Sequence, residues 1–580
     1  MAPKRWPNLA TMFFDQATAG GDAPFLWSKH DGEYRPQSWR QVAHEISALS
    51  RGLRAAGVKP GDRVALVSEN RPNWAVADLA ILSAGAVTVP GYTTNTVNDH
   101  KHIFGDSGAT ALIISGPAMA ERTLPAAHDT AGLDLVISMD PVEDSLGMTI
   151  TAWDDLVASG ANQNDDVGQI VSTITKGDLA CLIYTSGTGG RPKGVMLSHA
   201  AIAANLWGAY GLLQELGLDD EIFLSFLPLS HSYEHTAGLF FPISLGAQIY
   251  YAERVDTLTT NLLEARPTFM TCVPRLYETM RARILGGVQR SGGLKRKLFE
   301  SAVSLGTKRY HDPASLGFVE RLLDGLVERL VREKVRGRFG GRLKALVSGG
   351  APLNEDVGLF FLALGLPILQ GYGQTESAPV ISVNRPEMND VSTVGPPLDG
   401  VEVKIADDGE ILVRGELVMD GYWNAPEATA AALVDGWLHT GDIGELDERG
   451  RIRITDRKKD IIVNSGGDNL SPQRVEGVLM LEPEIAQAMV YGDRRPHLVA
   501  LIVPDDETVK AHQGDSEALT KAIAEAVRRA SAGLSTIESV KRFALAAEPF
   551  TIDNGEMTPT MKTRRHAIIG RYGDMLNGLY

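Results

Sequence analysis

Short apolar runs alternate with helix-like segments along the first part of the chain. Residues 39–56 have apolar positions at helical spacing, and a polar turn separates them from a short apolar strand at residues 64–67. The same order, a helix that runs into a strand, repeats at residues 74–89, and further strands are predicted at residues 111–114 and 135–137. This alternation predicts an α/β fold, with helices layered on largely parallel sheets.

The pattern changes beyond residue 400, where the predicted strands become shorter and pair as hairpins. Turns are predicted at residues 407–409 and 448–450, and a charged stretch at residues 456–460 follows the second hairpin. We therefore predict a domain boundary there, with an N-terminal domain of residues 1–455 and a small α+β domain of residues 456–580.

Residues 281–344 form a strongly basic segment, with clear helical periodicity at residues 318–335. This pattern predicts a helical hairpin with a cationic face. A solvated helix surface is the simpler interpretation, and a patch that meets anionic lipid or the phosphates of a ligand is the alternative. Neutralising Arg332, Lys334 and Arg336 would test the lipid interpretation.

Composition narrows the class of protein. The chain has 580 residues, 44% of them hydrophobic, and a net charge of −16, which argues for a multidomain globular protein and against a nucleic-acid binder. Cys181 and Cys272 lie in apolar surroundings, so buried free thiols are expected and a disulfide framework is excluded. The first 20 residues lack the apolar core of a signal peptide, and residues 74–89 are too short and interrupted to span a bilayer. A cytoplasmic protein is therefore expected.

A stretch rich in glycine and hydroxyl side chains, YTSGTGGRPKG at residues 184–194, follows an apolar strand. Glycines allow backbone N–H groups to approach a polyanion closely, and hydroxyls and a lysine can donate to its oxygens. The stretch thus indicates a triphosphate site, although its spacing differs from the common P-loop and a plain surface loop is the alternative. The candidate phosphate-binding residues are Thr185, Ser186, Gly187, Thr188, Gly189 and Lys193.

Seven further motifs follow this loop along the chain. They are LPLSH (227–231), SGGAP (348–352), QGYGQTE (370–376), GWLHTGD (436–442), DRKKD (456–460), GGDNLSP (466–472) and GEMTPTMKTRR (555–565). The ordered set resembles the adenylate-forming enzymes over residues 20–575. The basic insertion and the TPTMK sequence are similar to the long-chain fatty acyl-CoA synthetase branch of that superfamily.

This resemblance implies both a fold and a reaction. The fold has a large N-terminal domain of layered α/β sheets with a distorted β-barrel, and a small mobile α+β C-terminal domain. In the first step of the reaction, a fatty acid carboxylate attacks the α-phosphate of ATP and pyrophosphate leaves. The thiol of coenzyme A then attacks the acyl-adenylate and AMP leaves. Mg²⁺ is the implied cofactor, and ATP and coenzyme A are co-substrates.

The resemblance also assigns roles to residues in the matching motifs. Lys562 corresponds to the catalytic lysine that contacts the carboxylate and the α-phosphate, and Glu376 to the magnesium-associated glutamate. Thr375 would donate to a phosphate, and His231 would lie between the carboxylate and thiol-access sites. The other implied nucleotide contacts are Tyr372 on the adenine, Asp442 and Arg457 on the ribose, and Gly349, Gly350, Ala351, Gln370, Gly371 and Gly373.

Further roles are implied for the C-terminal region. Lys459 is similar to the hinge about which the C-terminal domain rotates between the two steps, and Gly466 and Gly467 would form the access for coenzyme A. A zinc site is the alternative for His231 and His235, which lie four residues apart, but no third ligand with suitable local spacing is apparent.

Two features are less well defined. The family has Thr or Ser where this chain has Gly189, so one phosphate-facing hydroxyl is missing and an altered ATP affinity is expected. The candidates for the acyl pocket are apolar or small residues near the LPLSH motif, with ordinary core packing as the alternative: Trp207, Tyr233, Gly238, Phe240 and Phe241.

The expected function is a long-chain fatty acid–CoA ligase. A CoA ligase for medium-chain or aromatic acids, and a fatty acyl-AMP ligase that loads a carrier protein, are alternatives. A non-catalytic protein of the same fold is disfavoured by the presence of Lys193, Glu376, Asp442 and Lys562. Peripheral contact with a membrane and a homodimer are left open.

Overall fold

The computed structural model describes residues 4–143, 145–163, 166–185, 191–254, 256–466, 468–552, 554–558 and 563–580. Six of the predicted site residues lie outside the described residues: Ser186, Gly187, Thr188, Gly189, Gly467 and Lys562.

One mixed sheet of eight strands carries two of the glycine-rich motifs. Its strands are β1 (Pro24–His30), β2 (Glu33–Ser38), β10 (Ile222–Ser225), β11 (Gln248–Tyr251), β12 (Phe269–Cys272), β13 (Ala345–Ser348), β14 (Ile368–Gly373) and β15 (Val380–Val383). Their order is β15, β14, β13, β12, β10, β11, β1, β2. The pairs at the two ends, β1–β2 and β14–β15, are antiparallel, and the strands between them are parallel.

A second sheet of eight strands carries the loop at residues 184–194. Its strands are β3 (Arg63–Val67), β4 (Val87–Pro90), β5 (Ala109–Ile114), β6 (Leu135–Ser138), β7 (Ile150–Ala152), β8 (Leu179–Thr185), β9 (Lys193–Ser198) and β18 (Gly421–Tyr422). They lie in the order β18, β9, β8, β4, β3, β5, β6, β7, and β9 is antiparallel to both of its neighbours. The predicted strands at residues 64–67, 111–114 and 135–137 are confirmed. Their continuous apolar runs are typical of parallel strands covered on both faces.

Helices cover and separate these two sheets. They are α1 (Leu9–Gly20), α2 (Trp39–Ala55), α3 (Pro72–Ser83), α4 (Val97–Ser107), α5 (Pro117–His128), α6 (Trp153–Ala161), α7 (Val167–Thr173), α8 (His199–Leu216), α9 (Ser232–Glu234), α10 (Phe241–Leu245), α11 (Leu258–Ala265), α12 (Pro274–Arg290), α13 (Gly293–His311), α14 (Phe318–Val327), α15 (Glu333–Arg338), α16 (Glu355–Ala363) and α17 (Pro426–Ala432). Trp74 and Ile81 of α3 are buried in one core with Phe25 of the first sheet and Val64 of the second. In the described part of the chain, no helix has the length and apolar character needed to cross a bilayer.

A third sheet has five strands, all paired in antiparallel fashion. Its strands are β16 (Glu402–Ile405), β17 (Glu410–Arg414), β19 (Leu433–Val434), β20 (Trp437–Leu446) and β21 (Ile452–Arg457). The predicted hairpins are confirmed, because β16 pairs with β17 and β20 with β21. Gly409 and Gly450 occupy their turns at φ +84° and +71°, where other residues would be strained.

The C-terminal residues form smaller elements around two hydrophobic clusters of their own. These elements are β22 (Ile462–Val463), β23 (Asn469–Leu470), α18 (Pro472–Leu479), β24 (Ile485–Tyr491), β25 (Leu498–Pro504), α19 (Asp506–Ala511), α20 (Ser516–Ala532), β26 (Val540–Leu545) and α21 (Arg565–Asn577). Because β21 ends at Arg457, the N-terminal sheet continues just beyond residue 455. The exact domain boundary stays a prediction.

The basic insertion consists of helices, as predicted, and its C-terminal arm contains a π-helical turn at Glu328–Arg332 between α14 and α15. Arg332 does not belong to a cationic surface, because its side chain is fully buried. Its guanidinium donates to the carbonyl oxygens of Ala302 and Ala363, both at 2.8 Å, and pairs with Asp324 at 2.7 Å. The interpretation of Arg332 as a surface charge was therefore wrong: this arginine joins the insertion to α16.

Candidate active site

A cleft of about 3370 Å³ brings together most of the predicted site residues that the structure describes. Its floor includes the carboxyl ends of β13 and β14, which are neighbouring parallel strands. Ligands of open α/β sheets characteristically bind at this edge. The predicted residues that line the cleft are Thr185, Lys193, His231, Gly349, Gly350, Ala351, Gln370, Gly371, Tyr372, Gly373, Thr375, Glu376, Asp442, Arg457 and Lys459.

A buried carboxylate links two sheets on one side of the cleft. The hydroxyl of Tyr372, at the end of β14, donates to Asp442 Oδ2 at 2.7 Å. Arg457 Nε donates to the other oxygen, Asp442 Oδ1, at 3.2 Å, and the two residues are direct partners in β20 and β21. Burial and the nearby Asp442 raise the pKa of Tyr372, so its phenol stays protonated as a donor. The three predicted adenosine contacts therefore form one hydrogen-bonded unit.

Glu376 and Lys193 are joined by a tyrosine that the motifs did not include. The hydroxyl of Tyr422 donates to Glu376 Oε1 at 2.8 Å, and Lys193 Nζ lies 4.4 Å from the centre of the Tyr422 ring. Burial, together with Glu376, raises the pKa of Tyr422. Tyr422 reaches this position because β18 pairs with β9, a contact between residues more than 200 positions apart that no local pattern signals.

The LPLSH motif meets the QGYGQTE motif through hydroxyl groups. Ser232 Oγ and Thr375 Oγ1 lie 2.9 Å apart. His231 Nδ1 accepts from the backbone N–H of Tyr233 at 3.1 Å, which leaves Nε2 as the ring nitrogen that can donate. His235 points elsewhere: its Nε2 lies 2.9 Å from Asp78 Oδ2 in the core. The described residues contain no group of three or more potential metal ligands.

A second buried carboxylate, Glu234, lies three residues after His231 at the end of α9. The burial of this side chain was not predicted from the sequence. Its oxygens accept from Ser225 Oγ at 2.6 Å and from Thr271 Oγ1. Burial raises the pKa of Glu234 to about 7. A Cβ atom on Gly238 would lie only 2.3 Å from Glu234 Oε1, so this glycine allows the π-helical turn to pass over the carboxylate. The sequence contained no cue, because Glu234 resembles a solvated charge between two histidines.

The phosphate loop and the lysine motif are described only at their ends. Thr185 and Lys193 are partners across β8 and β9, which places the ends of the loop side by side at the cleft. Met557 and Thr563 form an antiparallel bridge, and Thr558 and Thr563 both line the cleft. The described neighbours of Lys562 therefore face the same cleft as the nucleotide motifs.

The predicted hinge is a charged, exposed segment. Lys458 Nζ pairs with Asp408 at 2.6 Å and with Glu410 at 3.0 Å, and Lys459 is exposed. Burial raises the pKa of Asp456 to about 6. Gly466 is exposed, and its N–H donates to Asn464 Oδ1 at 2.8 Å. The hinge and coenzyme A roles stay predictions.

The acyl-pocket candidates lie in different environments. Tyr233 lines the cleft, and its hydroxyl donates to the carbonyl oxygen of Val347 at 2.9 Å. Phe240 is fully buried with its ring centre 4.8 Å from that of His235, and Phe241 is also buried. Trp207 lies under the guanidinium of Arg5, 4.5 Å from its ring centre. The remaining candidate, Gly238, packs against Glu234 as described above.

Comparison with known proteins identifies the class of protein that this fold and cleft define. Residues 13–423 match the AMP-binding enzyme family, and residues 459–580 match the C-terminal domain of AMP-binding enzymes. The chain therefore belongs to the AMP-binding enzyme family. The predicted adenylate-forming enzyme and its fold class are confirmed.

The similarity to individual proteins extends over the whole chain. A long-chain-fatty-acid–CoA ligase of Mycobacterium tuberculosis, FadD15, is 33% identical over 99% of this chain and 97% of its own length. The human long-chain-fatty-acid–CoA ligase 6 is 29% identical over 99% of this chain and 88% of its own length. Among solved structures, the adenylation domain of a Mycobacterium chelonae carboxylate reductase superposes with a TM-score of 0.80 at 23% identity, covering 99% of this chain and 91% of that one.

Proposed function

We propose that this enzyme activates long-chain fatty acids with ATP and transfers the acyl group to coenzyme A. The carboxylate attacks the α-phosphate, pyrophosphate leaves, and the thiol of coenzyme A then displaces AMP from the acyl carbonyl. The family assignment and the names of the two ligases above support the reaction class. The shape of the cleft supports the preference for a long acyl chain.

The observation that carries the proposal is an apolar extension of the cleft into the helical insertion. Met280, Ile284 and Val288 line it at intervals of four residues, which places them on one face of α12. Over this span α12 is about 12 Å long. The apolar residues that line the cleft from the facing elements are Leu262, Leu298, Phe299, Val331, Val335 and Phe339. A long acyl chain could therefore leave the nucleotide end of the cleft and lie between α12, α13 and α15.

The nucleotide end supplies donors and charge instead of a proton-transfer group. The reaction joins two anions, so positioned positive charge is its main requirement. We assign the phosphates to Lys193 and Thr185, the ribose to Asp442 and Arg457, and the charge at the reacting atoms to Lys562. The position of Asp442 between Tyr372 and Arg457 supports the ribose assignment, because a buried carboxylate held by two donors is oriented before the nucleotide arrives.

The residues at Glu376 fit a magnesium ion. Mg²⁺ prefers oxygen ligands and commonly bridges one or two carboxylates and substrate phosphates. Glu376 lines the cleft, and the hydroxyl of Tyr422 orients its carboxylate through Oε1. Glu376 would hold the ion next to the phosphates, where Mg²⁺ would neutralise charge on the leaving pyrophosphate.

Pyrophosphate release with saturated acids of increasing length tests the proposal. Each methylene group buried in the insertion contributes about 0.8 kcal/mol, roughly a fourfold rise in kcat/KM, until the channel is filled. The same assay without coenzyme A, and with a phosphopantetheine carrier protein in its place, separates a CoA ligase from an acyl-AMP ligase. A maximum with medium-chain or aromatic acids would contradict the long-chain preference. Membrane contact and a homodimer stay predictions.

A further inference from the structure

The arm of the insertion from residue 318 to residue 330 presents a row of apolar side chains to solvent. We call these five residues the outer stripe: Phe318, Val319, Leu322, Leu326 and Leu330, with exposed fractions of 79%, 74%, 63%, 48% and 41%. Four of them recur every fourth residue, so they form one ridge along α14 and the following π-helical turn. A contiguous exposed apolar ridge on a folded protein marks a contact site.

The apolar arc of this arm is wider than its packing on α13 requires. Leu323, Val327 and Val331 face α13 and pack in a cluster with its Ala302 and Leu305. Each residue just before these three, namely Leu322, Leu326 and Leu330, is exposed instead. Packing against α13 therefore accounts for the apolar character of Leu323, Val327 and Val331. It does not account for the apolar character of the outer stripe.

Charges on the same arm are divided between its two faces. The acidic residues Glu320, Asp324 and Glu328 are neutralised by ion pairs with basic residues within the insertion. Arg321 and Arg329, by contrast, are exposed beside the outer stripe. The first turn of α13 carries a separate exposed group, in which Leu294 (74% exposed) precedes three basic residues, Lys295, Arg296 and Lys297.

We propose that the outer stripe lies on the surface of an anionic lipid bilayer. Leucine and phenylalanine on one face with arginine beside them is the composition of helices that lie in the plane of a membrane surface. Arginines and lysines at the surface of a membrane are attracted by its anionic headgroups. A second copy of the chain fits less well, because a two-fold contact between the stripes would bring Arg321 and Arg329 towards the same residues of the other copy.

The position of the stripe connects it to the cleft. Leu330 belongs to the outer stripe and also lines the cleft. Two nearby basic residues, Lys334 and Arg338, line the cleft as well. If the proposed function is correct, an acid dissolved in the bilayer could enter the apolar extension of the cleft beside Leu330. Binding of the stripe to the membrane does not itself depend on the ligase reaction.

Sedimentation with vesicles tests the proposal directly. The full chain is mixed with vesicles of phosphatidylcholine alone, or of phosphatidylcholine with 30% phosphatidylglycerol. The double variant Phe318→Ser/Leu322→Ser removes two exposed side chains, and Arg321→Gln/Arg329→Gln removes the flanking charge. Ile537→Ser, an equally apolar residue that is 46% exposed in the C-terminal region, is the matched control.

We expect the unmodified chain and Ile537→Ser to bind the anionic vesicles, and both double variants to bind at least tenfold more weakly. Thermal unfolding of both double variants should be unchanged, and so should their turnover of a short, water-soluble acid. Equal vesicle binding by all four proteins would overturn the proposal. The proposal would also be overturned if the unmodified chain bound no vesicles and the double variants lost a self-association that light scattering detects in the unmodified chain. That result would identify a second copy of the chain as the occupant.

Discussion

Replacing Asp442 by asparagine tests the proposed ribose contact, because this carboxylate is buried and already oriented by two protein donors. A hydrogen bond to a charged group contributes about 1.5–3 kcal/mol, and two ribose hydroxyls would donate to Asp442. Asparagine keeps the shape and one acceptor oxygen but loses the charge. We expect a loss of about 3 kcal/mol in transition-state binding, roughly a hundredfold fall in kcat/KM for ATP. Folding should change little, since the Arg457 side chain of the ion pair is 37% exposed.

ATP–pyrophosphate exchange with ATP, 2′-deoxyATP and 3′-deoxyATP measures this contact. The unmodified enzyme should discriminate strongly against both deoxynucleotides, and Asp442→Asn should discriminate only a few-fold. Asp447→Asn is the matched control, because Asp447 binds Arg451 at 2.7 Å near the far end of the same hairpin. If Asp442→Asn kept the full discrimination between ATP and the deoxynucleotides, the ribose assignment would be refuted.

Four further changes probe other parts of the structure. Glu234→Gln should stabilise the protein by about 3 kcal/mol at pH 8 and not at pH 4.5. The raised folded-state pKa makes the native form bind more protons between pH 4.5 and about 7, so its stability falls as pH rises through that window. Denaturant titrations measure the difference in free energy of unfolding between Glu234→Gln and the unmodified protein, and the same difference at both pH values would contradict this expectation. Arg332→Met should destabilise the fold by about 3–5 kcal/mol, because two buried carbonyl oxygens lose their donor and Asp324 keeps only Arg309 as an ion-pair partner. Lys334→Gln, at an exposed position, should change the free energy of unfolding by no more than about 0.5 kcal/mol. Equal shifts in the melting temperature of Arg332→Met and Lys334→Gln would argue against the buried role of Arg332. Tyr422→Phe should raise the Mg²⁺ concentration needed for half-maximal activity about fivefold by removing a bond worth ~1 kcal/mol, and an unchanged requirement would exclude Tyr422 as a positioning residue. Lys562→Ala should abolish adenylate formation but spare thioester formation from supplied acyl-adenylate, and equal loss of both would exclude the assigned role.

Local signals explain which parts of the fold could be predicted. The helix at residues 39–56 is α2, which begins after Ser38 with a reciprocal cap between Ser38 and Gln41. The hairpins at residues 407–409 and 448–450 follow from turn glycines between short apolar runs. These features depend on residues close in sequence, so their periodicity and turn chemistry are visible in the sequence alone.

Contacts between distant segments account for what could not be predicted. Arg332 was interpreted as surface charge because its neighbours are basic, yet its carbonyl partners are Ala302 and Ala363. Tyr422 joins the site only because β18 adds to the edge of β9. The apolar extension of the cleft is lined by residues of α12, α13 and α15, so no single motif contains its lining.

Most of the described motif residues line one cleft, but the motifs did not indicate how these residues contact each other. Tyr372 was assigned to adenine, and the structure adds that its hydroxyl binds Asp442, 70 positions further along the chain. Thr375 was assigned to phosphate, and its hydroxyl also lies against Ser232. Such hydrogen bonds depend on side-chain direction, which is set by packing and not by local spacing.

The central claim is that the carboxylate of a long-chain acid attacks the α-phosphate of ATP. Incubation with ¹⁸O₂-palmitic acid, ATP and coenzyme A, followed by mass spectrometry of every product, measures this directly. We expect palmitoyl-CoA to form and one ¹⁸O atom to appear in AMP, with none in pyrophosphate. Formation of ADP with ¹⁸O in inorganic phosphate, or palmitoyl-CoA with unlabelled AMP, would contradict the account.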